Sequence, residues 1–172
     1  MKFALFSIFW LLTACGLTST SATEQTLTIE MAASKTTPDG AEGDVTPKYQ
    51  NYTITAVNFL SEDGTETTEL YGATDGKEYK IIERDQIIFK KDIGDLKGNT
   101  YSGITVSFNG DVTGASENSD DHSFILSDPN LVLSEAFTIE KGKSITLYIS
   151  VLWKNTVLED AMSEPGFKLS LD

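Results

Sequence analysis

The stretch of residues 145–154, ITLYISVLWK, decides the fold of this chain. Apolar side chains occupy every second position: Ile145, Leu147, Ile149, Val151 and Trp153. The positions between them are mostly polar and include Thr146, Tyr148, Ser150 and Lys154. Successive side chains of a strand point to opposite faces, so this period of two predicts a β-strand with one face on a hydrophobic core.

Similar alternation recurs through the rest of the chain, in segments rich in Thr, Ile, Val, Tyr and Phe. The predicted strands are residues 26–31, 51–60, 77–83, 86–90, 101–109, 122–126, 135–140 and 166–171. Between Ile54 and Val57 the apolar positions change parity, which predicts either a β-bulge or a strand buried on both faces.

Turn signals separate these strands, because glycine after Asp, Asn or Lys tolerates the positive φ that chain reversals need. The predicted turns are Pro38-Asp39-Gly40, Asp63-Gly64, Asp75-Gly76, Asn109-Gly110 and Lys141-Gly142. The predicted helical content is one or two turns over residues 157–162, before Pro165-Gly166. A length of 172 residues fits one domain, and the pattern predicts an all-β fold, a single Greek-key β-sandwich.

The amino-terminal segment has the order of an export signal. Lys2 precedes a nearly unbroken apolar run over residues 3–12, and Leu12-Thr13-Ala14-Cys15 follows. The run is too short for a membrane-spanning helix, which needs about 20 apolar residues. The Leu-x-Ala-Cys ending resembles the lipobox of bacterial lipoproteins. An ordinary signal peptide is the alternative.

That resemblance implies cleavage before Cys15, acylation of its sulfur and often of the new amino terminus. The membrane is then a partner through the acyl chains on Cys15. In the sorting rule of enteric lipoproteins Asp at the next position favours inner-membrane retention; Gly16 stands there, so outer-membrane delivery is implied. The predicted organisation is a signal peptide over 1–14, a lipidated flexible tether over 15–25 and a β-sandwich domain over 26–172.

Two further segments carry a resemblance to exported sandwich domains. Residues 137–144, FTIEKGKS, precede a long alternating strand, and Gly98-Asn99-Thr100-Tyr101 leads into another. Both are similar to the strand and glycine-turn pattern of prealbumin-like or immunoglobulin-like sandwiches. What this resemblance implies is a fold, and a fold by itself implies no function.

Charge and composition exclude several classes of function. The chain has 13 Lys and Arg against 26 Asp and Glu, a net charge of -13. Nucleic acid is therefore not expected as a partner, because binding it needs a basic footprint. The 40% of hydrophobic and 10% of aromatic residues are enough for a core, which argues against a disordered chain.

Catalytic chemistry has few residues to draw on. One His and one Cys are too few for a Cys/His zinc site. His122 is the sole imidazole base, and its neighbours Asp121 and Ser123 would point to the opposite face of a strand, so they cannot complete a catalytic triad beside it. We therefore expect no enzymatic activity, with an envelope hydrolase as an alternative.

Acidic loops raise the question of a cation site. Glu117, Asp120 and Asp121 fall in one predicted loop, and oxygen-rich loops suit Ca²⁺. The run lacks the residue order of an EF-hand, so a solvated loop is the simpler interpretation and no cofactor is expected. A Ca²⁺-dependent adhesive or glycan-binding domain is the alternative; it would need this loop to meet those around Asp39 and Asp63.

Aromatic residues offer one surface prediction. Most lie in alternating strands, where core packing is the expected role. Tyr148 is the exception, because it shares its strand face with Thr146 and Ser150. It is a candidate point of contact with a protein or glycan partner, and packing against a cross-strand neighbour is the alternative. The sequence as a whole predicts a lipid-anchored, outer-membrane module of the cell envelope with a binding or structural role.

Overall fold

The computed structural model describes residues 24–36, 44–45, 47–65, 67–82, 84–116, 122–154, 156–157 and 165–172. This part of the chain is nearly all β, as predicted. Its strands are β1 (Thr26–Thr36), β2 (Asp44–Val45), β3 (Pro47–Ser61), β4 (Thr67–Ile81), β5 (Gln86–Asp92), β6 (Thr100–Phe108), β7 (Asp111–Ser116), β8 (His122–Ile125), β9 (Asn130–Leu133), β10 (Phe137–Thr138), β11 (Ile145–Lys154), β12 (Thr156–Val157) and β13 (Gly166–Leu171). A short 3-10 helix, Gly94–Leu96, follows β5.

The first sheet has four strands in the order β13-β11-β1-β5. β11 and β1 pair in parallel at its centre, and the two edge strands pair antiparallel to them. Leu147, Ile149 and Val151 are buried, as the alternation of this stretch predicted.

The second sheet is built around the long strand β3. β4 pairs along one side of it, while β6 and β7 share the other side. β9 and β10 pair with β6, and β8 pairs with β7. β2 and β12 form a separate two-stranded pair.

The two sheets bury one hydrophobic cluster between them, which confirms the predicted β-sandwich. Leu27 and Ile29 contribute to it from the first sheet, and Tyr52, Phe59 and Ile104 from the second. All five are fully buried. The Greek-key connectivity stays a prediction.

The predicted irregularity in β3 is a β-bulge. The pairing register with both β4 and β6 shifts between Ile54 and Ala56. Because of this shift, Ile54 and Val57 both face the core although they are three residues apart.

Two predicted chain reversals are wrong. At Asp75-Gly76 the chain remains in β4. Four residues of β4, 73–76, lie opposite a single residue of β3, Thr55. At Asn109-Gly110, β6 continues into β7 along β3, and the Asn109 N–H donates to the Thr53 carbonyl at 2.7 Å. An Asp-Gly or Asn-Gly pair is suited to a β-bulge as well as to a hairpin turn, so the local sequence does not distinguish a bulge from a turn. Asp63-Gly64 and Lys141-Gly142 are turns, as predicted, with positive φ at both glycines.

Two residues near the ends of the sandwich differ locally from the sequence prediction. Val157, expected to begin a helical turn, pairs with Asp44 in the β12–β2 ladder, and residues 158–162 lie outside the described part. Gln25, expected in the tether, is buried; its side-chain amide donates to the Glu140 carbonyl at 2.5 Å. None of the helical structure described is long and apolar enough to cross a membrane.

Candidate functional site

Most residues that the sequence singles out for chemistry lie outside the described residues. These are Cys15, Glu117, Asp120 and Asp121, together with Asp39. His122 is described as part of the β8 backbone only. Over the described ranges, no three or more His, Cys, Asp or Glu side chains group as metal ligands would. The Ca²⁺ alternative, which needs these acidic loops to meet, stays an untested alternative.

Of the acidic residues that the sequence analysis named, Asp63 lies in the described part of the chain. It lies in the β3–β4 hairpin, where its Oδ1 accepts from the Ser61 hydroxyl at 2.6 Å and from the Thr65 N–H at 3.0 Å. The Ser61 hydroxyl, followed by Thr65, lowers the pKa of the Asp63 carboxyl from 3.8 to about 2. Its oxygen therefore closes the turn.

We expect Asp63 to titrate with a midpoint near pH 2. Because its pKa is lower in the folded than in the unfolded chain, its contribution to stability is complete above pH 3.8 and is lost as pH falls through about 2. The measurement is an NMR titration of the carboxyl carbon. Ser61→Ala should raise the midpoint toward 3.8, and Ser150→Ala, on another sheet, should leave it unchanged. A midpoint near 3.8 in the unaltered chain contradicts the turn geometry.

Tyr148 lies on the outer face of the first sheet. It is opposite Glu30 on β1 and Ser170 on β13, and it is half-buried. Its position follows from the period of two that places Leu147 and Ile149 in the core. Its role in contacting a partner stays a prediction.

A pocket of about 200 Å³ opens where edge strand β4 of the second sheet faces edge strand β5 of the first. We call it the β4–β5 pocket. It is lined by Ile54, Tyr71, Lys77, Tyr79, Ile88, Phe89 and Lys90. Only one of these residues, Ile54, comes from neither β4 nor β5. The pocket therefore lies at the open side of the sandwich.

The side chains that line the β4–β5 pocket change from apolar in its interior to cationic at its rim. Ile54 and Ile88 are buried, with 1% of their surface exposed. Three aromatic side chains are half-buried: Tyr71, Tyr79 and Phe89. The rings of Tyr71 and Phe89 lie 5.9 Å apart between centroids, tilted by 59°. The two lysines are exposed, so an apolar interior meets a cationic rim.

Irregularities in both edge strands shape the pocket. In β4, residues 73–76 bulge between Tyr71 and Lys77, and the register resumes with Lys77 opposite Ile54. Gly76 makes this bulge with φ at +64°; a Cβ there would lie 2.6 Å from the Ile54 carbonyl oxygen. In β5 a register shift leaves Ile88 unpaired between Ile87 and Phe89. Ile88 and Phe89 consequently both line the pocket, although they are adjacent in sequence.

The charge of the pocket contrasts with that of the chain. Residues 77–91 carry five of the 13 basic side chains against three acidic ones. The Lys77 ammonium lies 5.1 Å from the centre of the Tyr79 ring, a cation–π contact. Within the described ranges neither Lys77 nor Lys90 has a carboxylate partner within 4.0 Å. Neither lysine is therefore neutralised by a described carboxylate, although Lys77 lies over the Tyr79 ring.

A second pocket, of about 230 Å³, lies between β10 and the ends of β11 and β13. Its lining includes the carboxylates of Glu135, Glu140 and Asp172 and one cation, Lys143. Lys143 already forms an ion pair with Glu140. The β4–β5 pocket is thus the better candidate site, because neither of its lysines forms an ion pair with a described carboxylate.

The sequence analysis did not identify the β4–β5 pocket. Tyr71 and Tyr79 were expected among core aromatic residues, and the lysines received no role. The excess of basic residues over 77–91 in an acidic chain was the signal that could have found it. No protein-family model, curated protein or solved structure matches this chain.

Proposed function

We propose that this chain is a lipid-anchored protein of the bacterial cell envelope, and that its β-sandwich is a binding module without enzymatic activity. The observation that carries the proposal is Cys15. It is the chain's only cysteine, and it directly follows an apolar segment that ends in Leu-x-Ala. Lipidation gives this lone sulfur a role.

Acyl chains on Cys15 would hold the domain at the outer membrane. One chain gives marginal binding, whereas two or three make the anchor effectively permanent, at about 0.8 kcal/mol for each buried methylene. The polar segment after Cys15 would act as a flexible spacer. Fully extended, it reaches roughly 30 Å at about 3.3 Å per residue.

The binding role is supported by the β4–β5 pocket. Such sites combine apolar and aromatic walls with a few polar groups, which is the composition seen here. The described residues that line it include no carboxylate, imidazole or thiol. Lysine and tyrosine side chains supply charge and hydrogen bonds for recognition.

The test is incorporation of labelled palmitate. The unaltered chain should take up label, and mass spectrometry should find an amino-terminal peptide that begins at acylated Cys15. Cys15→Ala should take up none, whereas Thr20→Ala, in the tether, should match the unaltered chain. Incorporation of the label is a more decisive test than partition into a detergent phase, because a chain with an uncleaved apolar segment would also enter the detergent. An unlabelled wild-type chain would contradict the anchor.

A further inference from the structure

We infer that the β4–β5 pocket binds a sugar ring that carries a carboxylate. This inference rests on the proposed function in treating the sandwich as a binding module, and it is independent of the lipid anchor. The juxtaposition that carries it is a pair of lysines, neither in an ion pair with a described carboxylate, at the mouth of an aromatic pocket in a chain with a net charge of -13.

The positive charges at the rim of the pocket favour an anionic ligand. Lys77 and Lys90 come from different strands and different sheets, yet both line one small pocket. Both ammonium groups belong to exposed side chains, and neither forms an ion pair with a described carboxylate. An anionic group in the pocket would be attracted by both positive charges, whereas a cation would be repelled by them. The aromatic walls alone would also suit a cation.

The aromatic walls of the pocket favour a ligand whose ring has both apolar and polar edges. A sugar ring presents C–H groups that pack on aromatic faces, here those of Tyr71, Tyr79 and Phe89. Its hydroxyls pair with tyrosine hydroxyls, and neither Tyr71 nor Tyr79 hydrogen-bonds through its hydroxyl to a described residue. A simple aliphatic acid would leave those hydroxyls unused.

The size of the pocket limits the ligand to about one ring. Sites for drug-sized ligands measure roughly 300 to 1,000 Å³. The β4–β5 pocket has about 200 Å³. The small volume also favours a carboxylate over a phosphate, because a carboxylate replaces the exocyclic CH2OH of a sugar without enlarging it, whereas a phosphate ester adds further atoms.

The experiment is calorimetric titration of the full mature chain in detergent micelles. Glucuronate should bind, while glucose, which lacks the carboxylate, and benzoate, which lacks the hydroxyls, should each bind at least about fivefold more weakly. Equal affinities for glucuronate and glucose, tighter binding of benzoate or of glucose 6-phosphate, or no heat with millimolar glucuronate would each overturn the inference. These results leave the palmitate labelling unaffected, so failure of the site and failure of the anchor are distinguishable.

Variants locate the site. Lys77→Gln and Lys90→Gln should each weaken glucuronate binding about fivefold. Lys168→Gln makes the same change of charge at an exposed position on β13 and should leave the affinity unchanged. If Lys168→Gln weakens binding as much as Lys77→Gln does, the effect is one of net charge and the assignment of the pocket is wrong.

The source of the sugar follows from a second titration. A disaccharide that ends in glucuronate is compared with free glucuronate. Tighter binding of the disaccharide identifies the end of an acidic polysaccharide as the ligand, and equal or weaker binding identifies the free sugar acid. Both results keep the β4–β5 pocket as the site of a sugar acid; failure of free glucuronate to bind overturns the inference, as in the first titration.

Discussion

Tyr52→Ala is expected to destabilise the domain by about 3 to 5 kcal/mol, the range for truncating a large buried aromatic side chain. Tyr52 is fully buried in the centre of β3. Its ring makes edge contacts with Phe108 at 5.7 Å and Phe167 at 6.0 Å between centroids. Phe167 belongs to the first sheet and Phe108 to the second, so this ring joins the two layers of the sandwich.

The phenol oxygen of Tyr52 contributes separately. Its hydroxyl donates to the Gln50 side-chain oxygen at 2.5 Å, and Gln50 is buried. Tyr52→Phe keeps the ring and removes this donor, so we expect a smaller loss of about 1 to 3 kcal/mol. Should Tyr52→Ala fail to fold, Tyr52→Phe still measures the buried hydrogen bond.

The measurement is thermal or denaturant unfolding of both variants. The midpoint should fall by roughly 6 to 20 °C for Tyr52→Ala, because each kcal/mol corresponds to about 2 to 4 °C in a domain of this size. The control is Ile125→Thr, which keeps a β-branched side chain at a strand position where 74% of the surface is exposed. It should change stability by no more than about 0.5 kcal/mol. A loss for Tyr52→Ala no larger than for Tyr52→Phe would show that the ring does not join the sheets.

The strands with strict alternation were predictable because one face of each is buried. β11 and β1 are the clearest examples, and even the bulge in β3 was visible as a change of parity after Ile54. The first half of β4 was missed, since residues 72–76 contain two glycines and an aspartate that indicate a turn. That segment becomes a strand by pairing with β3, a long-range contact that overrides its local preference.

The candidate site was less predictable than the fold. Ile54, Tyr71 and Ile88 are distant in sequence, and they meet only when β4 and β5 become facing edges of different sheets. The register also matters: without the bulge at residues 73–76, Lys77 would not lie opposite Ile54. A period of two identifies which side chains point inward, but it does not show which strands lie at an edge. That is why Tyr71 and Tyr79 were expected in the core rather than at the wall of a pocket.

Gly76→Ala is expected to destabilise the domain by about 2 to 4 kcal/mol, from two additive causes. A non-glycine residue at φ +64° costs about 1 to 2 kcal/mol. The added Cβ would also lie 2.6 Å from both the Ile54 carbonyl oxygen and the Thr53 Cγ2, so the backbone of β3 or β4 must move. Because Ile54 lines the β4–β5 pocket, this movement should also weaken glucuronate binding.

Gly142→Ala separates the two causes of that loss. Gly142 has a similar φ of +79°, and a Cβ there would meet nothing within 4 Å. Unfolding should therefore show a loss of only about 1 to 2 kcal/mol, with glucuronate affinity unchanged. The difference between the two variants measures the close approach of β4 to β3 at the bulge. Equal losses, with binding intact in both, would mean that the bulge does not hold Ile54 in place and that the shape of the pocket does not depend on Gly76.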